Sequence, residues 1–341
     1  MSAIELSGEQ FATRVDEAIE ACQFSGVVRV DQGDRVVFER AAGLADRRWS
    51  IPMTTATRLS MASGTKGFTA LAVMSLVESG DLTLDRTARS LLGADLPLID
   101  DGVTVEHLLA HRSGIGDYLD ESTLGDIETY AMPVPVHQLD STEGYVASLD
   151  GYPQVSPPDE RFEYNNGGYV VLALLAERAA QTPFERLVDE LVVKRADLAS
   201  TGFLRSDSLA PRVATGYLDL EGFRTNSLHL PVLGSGDGGL FTTAADMATF
   251  WTALFEGRIV SEDTVRLMTA PRSESPKHKR RNGMGFWLTM NGPIVFLEGY
   301  DAGVSFRSMH DPTMGTTRTT ISNTSEGTWN LLRSVAELHE T

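Results

Sequence analysis

The chain has 341 residues, 42% hydrophobic and 22% charged, which gives ample length for a packed core and excludes a disordered or low-complexity protein. Lysine and arginine number 29 against 47 aspartate and glutamate, a formal charge of −18, and a surface that negative repels phosphate backbones and anionic lipid headgroups, so no nucleic-acid or membrane partner is expected. The lone cysteine, Cys22, excludes an internal disulfide, and the absence of a basic, apolar leader after Met1 or of an apolar run of about 18 residues points to a cytoplasmic location.

In chain order, Ser7 with Gln10 resembles a capping box, and Phe11, Val15, Ile19 and Cys22 mark one face of a helix ending near Gln23, with Cys22 as a small core residue. Residues 26–31 and 35–40 are valine-rich and separated by Gln32, Gly33 and Asp34, a hairpin pattern. A polar, turn-rich stretch leads to residues 58–80. There Phe68, Leu71, Ala72 and Leu76, with Val73, Met74 and Val77 on the other side, predict a helix over 65–79 buried on nearly all faces. Gly80 before Asp81 is its stop, since glycine accepts the left-handed conformation that closes a helix.

Helical patterns follow at 104–110, 141–149, 167–180 and 183–196, with proline-bearing loops at 131–135 and 153–158. The last third reverts to short strands at 285–290, 293–298, 303–310 and 315–322, then a helix over 328–339. Strand runs at both ends of a helical middle predict a discontinuous α/β domain, 1–62 with 200–341, and a mainly helical domain, 63–199, with an active site between them.

Two stretches carry chemistry. Ser63 and Lys66 lie three apart at a helix start, where side chains share a face, so an amine can sit beside the hydroxyl. A lysine desolvated in a dry cluster loses basicity enough to take a serine's proton, and the unpaired N–H groups of the helix start can help bind an oxyanion. The second is 162–169, where Tyr164 stands in a loop before an apolar helix and Asn166 follows two residues on. A phenol there can act as acid or base, while an asparagine offers both donor and acceptor.

Together these stretches resemble the serine β-lactamase, penicillin-binding-protein and family VIII carboxylesterase superfamily, especially its class C-like branch. That family carries S-x-x-K, here Ser63 and Lys66, and about a hundred residues later Y-x-N, here Tyr164 and Asn166. Residues 70–85 are similar to its helix and L-x-x-x-G-x-L-x-L-D ending, 107–116 (HLLAHRSGIG) to its HLLxHTSGL segment, and 238–250 to its GGLxSTAxDMxxF segment. The likeness runs from about 24 to 335. It implies a β-lactamase/transpeptidase-like fold, an antiparallel sheet flanked by helices plus a mainly helical domain.

One motif departs from the family. Where members carry K-T-G or H-x-G before a turn, here 302–305, the triplet is Leu297, Glu298 and Gly299, with no Lys or His. In the family that base keeps the tyrosine deprotonated and holds a substrate carboxylate. Its loss weakens the case for β-lactam or D-Ala-D-Ala chemistry, and a bulky apolar residue there favours an uncharged ester.

Three other signals read as structure. His107 and His111 at i, i+4 lack the glutamate a zinc motif needs. The G-x-G-x-x-G string at 234–239 lacks a preceding strand and reads as a turn into a helix near Thr243. The basic run 277–281 reads as a solvated loop.

The resemblance therefore implies a serine hydrolase acting through an acyl-enzyme, without metal or organic cofactor, on a small ester or amide. A carboxylesterase on small uncharged esters fits best; a D-amino-acid peptidase, amidase or β-lactamase of the same fold, and a non-catalytic binding protein, are the alternatives. Ser63 attacks, Lys66, Tyr164 or the pair takes its proton, and protonated Tyr164 serves the leaving alkoxide. Asn166 orients Lys66, and the backbone N–H groups of Ser63 and Tyr300 form the oxyanion hole.

Overall fold

The computed structural model describes residues 8–121, 123–275 and 279–338; Ser7 of the expected capping box, Lys277 and His278 of the basic run and His339 of the last expected helix lie outside the described residues. The valine-rich strands Gly26–Gln32 and Arg35–Ala42 do form a hairpin. Its inner strand pairs with Thr316–Ser322, Val27 facing Ile321, so the two ends of the chain meet in one sheet.

That sheet has eight antiparallel strands, Arg35–Ala42 at one edge and then Gly26–Gln32, Thr316–Ser322, Val304–Asp311, Val295–Asp301, Trp287–Thr289, Arg280–Asn282 and Ser273–Ser275. Successive residues point to opposite faces. Val28 and Val30 join Phe11, Val15, Leu331 and Leu332 in a small cluster under the terminal helices Gly8–Ala21 and Gly327–Ser334, while Val27 faces the main core. Cys22 packs partly buried against the small cluster, where burial pushes its thiol pKa up.

On the other face lies the central helix Thr65–Ser79, buried from Thr65 to Leu76 and closed by Gly80 at φ 85°. Phe68 stacks on Phe250 of the helix Ala244–Phe255 at 4.6 Å, and each such fully buried ring contributes on the order of 2 kcal/mol. The third buried helix, Asn166–Ala180, packs beside the central one. Gly67 lets the central helix meet the sheet: a β-carbon there would stand 2.7 Å from Leu297 Cδ2. The fold is thus the expected mixed α/β arrangement, an antiparallel sheet flanked by helices.

Several elements differ from the sequence expectation. The expected helix over 141–149 is a 3-10 turn Glu143–Tyr145 and one helical turn Val146–Leu149, and a β-carbon at Gly144 would stand 2.6 Å from the Gln138 carbonyl. The helix over 183–196 is Phe184–Val188 followed by a π turn, Asp189–Val193, which buries both Val192 and Val193. The strands Ser273–Ser275 and Arg280–Asn282 carry no apolar alternation to announce them. Arg280 therefore belongs to a strand rather than a solvated loop.

Candidate active site

The strand Leu59–Ser60 leads into a single 3-10 turn, Ala62–Gly64, and the central helix begins one residue later. Ser63 thus sits just ahead of the α-helix rather than inside its first turn. Ala62 holds φ at +44°, a left-handed conformation that costs a residue with a β-carbon about 1–3 kcal/mol. Its surroundings impose it: the Thr65 hydroxyl donates to the Ala62 carbonyl at 2.7 Å and accepts from the Leu240 N–H at 3.1 Å. The next residue, Ser63, lines the cleft.

Lys66 is 4% exposed, and its Nζ reaches Ser63 Oγ at 3.0 Å, Asn166 Oδ1 at 2.8 Å and the Asp237 carbonyl at 2.8 Å. Burial pulls its pKa below the usual lysine value, against the pull of the Asp237, Glu121, Asp117 and Asp301 carboxylates. A neutral amine at that position can accept the serine proton.

Asn166 opens its helix, capped by Asn165, whose side chain accepts from Gly168 N–H at 2.6 Å. Asp117 takes the N–H groups of Asn166 and Gly167 at 2.6 and 2.8 Å, the stable place for a carboxylate. Asn166 Nδ2 donates to the Leu119 carbonyl at 2.8 Å and to Glu121 at 3.2 Å, which fixes its amide so that the oxygen faces Lys66.

The Tyr164 phenol lies within reach of Ser63, and its ring lies 5.1 Å from Lys66 Nζ. Burial, with Glu121 second, pushes that phenol well above the usual tyrosine range, the opposite of the lowering that a cation-lined site would give. Tyr164 therefore keeps its proton at neutral pH, while burial makes the Lys66 amine easier to deprotonate. His111 lies tilted against Tyr164 at 4.5 Å and accepts the Asn165 N–H at Nδ1, while His107 Nδ1 accepts the Thr104 N–H in a capping box. Both histidines are engaged within the fold.

The strand Val295–Asp301 pairs with Val304–Asp311 along its length but with Trp287 and Leu288 only at Phe296 and Val295. Its other edge from Leu297 to Asp301 runs past the turn Ala62–Gly64. Gly299 is the point of contact, since a β-carbon there would stand 2.0 Å from the Met61 carbonyl. Gly299→Ala is expected to cost about 1–3 kcal/mol in urea denaturation and to slow any acylation of Ser63, because the strand must move off the turn.

Leu297 is 2% exposed against Gly67, filling the space beside Ser63 and Lys66 with apolar atoms. Glu298 faces the other way along the sheet, where it pairs with Arg280 and lies 3.3 Å from Arg307 Nε. Tyr300, 42% exposed, reaches a cavity of about 400 Å³ that opens beside Ser63.

Residues that the sequence reading did not single out also line that cavity. Its charged side chains are Arg48, Glu121, Asp237 and Asp301, a net negative set, with apolar walls that include Leu124, Ile127 and Met132. Burial raises the Asp301 pKa to about 7, and the Asp237 carboxylate accepts from the Tyr118 hydroxyl. No short-range motif links these positions; four separate regions of the chain bring them together. Among the described residues no group of three or more His, Cys, Asp or Glu could hold a metal ion, and no helix is long and apolar enough to cross a membrane.

The chain is similar to known proteins over most of its length. A family model described as Beta-lactamase matches residues 11–331. Putative penicillin-binding protein PbpX of Bacillus subtilis is 26% identical over 279 residues, 81% of this chain and 65% of the relative. Esterase EstB of Burkholderia gladioli is 31% identical over 229 residues, 64% of this chain and 57% of the relative. The match thus spans less than two thirds of either relative. A penicillin binding protein from Bacillus halodurans has a crystal structure that superposes with TM-score 0.88 at 32% identity, covering 95% of this chain and 99% of that one.

Proposed function

Because the chain belongs to the β-lactamase family, we propose that it is a serine hydrolase that works through an acyl-enzyme, with small uncharged carboxylic esters as its substrates. The supporting observation is the buried Lys66 amine, bonded at once to Ser63 and to Asn166, one hundred residues away. A solvated serine and lysine would show neither the burial nor the shared asparagine.

Ser63 Oγ attacks the ester carbonyl carbon as its proton passes to Lys66. The tetrahedral oxyanion is met by the N–H groups of Ser63 and of Tyr300, on the strand edge beside the nucleophile turn. Collapse breaks the bond to the alkoxide, which takes a proton from Tyr164, and the phenol is restored by way of Lys66. Water then enters along the same path, giving its proton to the Tyr164–Lys66 pair and its hydroxyl to the acyl carbon, and Ser63 leaves reprotonated. Segments 1–62 with 200–341 and 63–199 act as the two walls of this cleft.

Leu297 offers no cation to a substrate carboxylate, Arg48 on the cavity wall is paired with Asp46, and Glu121 and Asp237 oppose an anion. Turnover of p-nitrophenyl acetate and butyrate is expected to exceed that of hemisuccinate esters and nitrocefin by about tenfold or more in kcat/KM, each 1.4 kcal/mol of discrimination giving a factor of ten. Nitrocefin turnover matching the neutral esters would overturn the esterase reading. The same acidic wall favours a second reading, an amidase or peptidase on D-amino-acid substrates with a free ammonium group. Faster turnover of a D-alanine amide than of the neutral esters would select it.

A further inference from the structure

The Tyr164 ring lies in a column of flat groups that reaches the departed third motif. Tyr169 lies 4.8 Å from His111, His111 4.5 Å from Tyr164, and Tyr164 stacks on Trp287 at 5.6 Å with 19° between the planes. The Arg280 guanidinium sits 4.7 Å over the Trp287 ring, and the same guanidinium pairs with Glu298. Glu298 is the middle residue of the triplet that lacks a base, and its register partner across the sheet is Arg307. Phe162 meets Trp287 edge-on at 6.1 Å, closing the remaining side.

Resting on the reading of Tyr164 as the proton donor, we propose that Trp287, locked by Arg280 and Glu298, is the positioning residue that holds the Tyr164 phenol on Ser63. With Leu297 in the triplet, no cationic side chain reaches the phenol from that strand, and burial leaves the phenol neutral. A neutral phenol is not drawn to its place by charge. Packing must fix it, and an indole stacked on one face with a guanidinium behind it does so without a charge in the site. Aromatic stacking and a cation–π contact each contribute about 0.5–1.5 kcal/mol, enough to hold one ring orientation over its neighbours. Arg280 acts at second hand, which is why an isolated arginine in a basic run has a fixed role here.

The test uses the full chain and two readouts, p-nitrophenyl butyrate turnover and the rate at which a fluorophosphonate labels Ser63. Trp287→Ala is expected to lower kcat and the labelling rate about tenfold with KM within twofold, a loss at the low end of what a misplaced acid–base group costs. Trp287→Phe restores most of the rate, and Arg280→Lys is milder than Arg280→Ala. In a Tyr164→Phe background Trp287→Ala has no further effect, since the ring it positions no longer carries a phenol. An equal tenfold drop in that background, or unchanged rates in Trp287→Ala itself, would overturn the proposal. If labelling shows this pattern while no ester is turned over, the substrate assignment fails and the positioning role stands.

Discussion

Ser63→Ala lowers ester turnover by at least about 10⁴-fold, to the level of the buffer, while leaving the fold and melting temperature close to those of the native chain. The loss is large because the rest of the site has nothing else to offer as a nucleophile at that point. Lys66, Tyr164 and Asn166 all converge on the Ser63 hydroxyl, directly or through one another. The stability effect is small because Ser63 is only partly buried and Lys66 keeps two other acceptors at 2.8 Å. Steady-state rates with p-nitrophenyl butyrate, beside a thermal melt, check both halves. Equal rates in Ser63→Ala and the native chain would leave the fold as a binding protein.

Lys66→Met lowers kcat by about 10²–10⁴-fold, and Lys66→Arg does the same even though it keeps a cation in place. A guanidinium does not give up its proton in this range, so it can fill the position without serving as a base. The pH profile follows from the same group. Lys66 must be neutral to accept the serine proton, and burial brings its pKa down. The native kcat/KM on an uncharged ester therefore falls as pH drops below that lowered value and rises to a plateau above it. Tyr164, pushed well above the usual range, stays protonated across the plateau and adds no falling limb there. A rate with no acid limb at any pH below the ordinary lysine pKa, or one that Lys66→Arg retains, would show that proton transfer does not pass through Lys66.

Much of the site was legible from local pattern. A helix apolar on every side that ends at Gly80 and begins just after Ser63 has little freedom in where it lies, and it is the helix buried beneath the sheet. Ser63 and Lys66 meet because three residues of tight turn always bring two side chains onto one face. The sequence was silent on what acts across the chain. Ala62 carries its positive φ because Thr65, Leu240 and Gly299 surround it, and alanine itself gives no hint of that. Arg280 looked like part of a solvated run because the strand that holds it is three polar residues long, and its partners Glu298 and Trp287 come from other strands. Glu121, Asp237 and Asp301 enter the cavity from two loops and a strand end, so their shared charge exists only in the folded chain.

The central claim is that Ser63 is the nucleophile of a covalent cycle. Titrating the native chain with a fluorophosphonate and following both residual ester turnover and the mass of the peptide carrying Ser63 tests it most directly. One adduct per chain is expected, located on Ser63, with activity falling in step with labelling and with both slowed by saturating p-nitrophenyl butyrate. Ester turnover that persists after Ser63 is fully labelled, or an inactivating adduct on another residue, would contradict it.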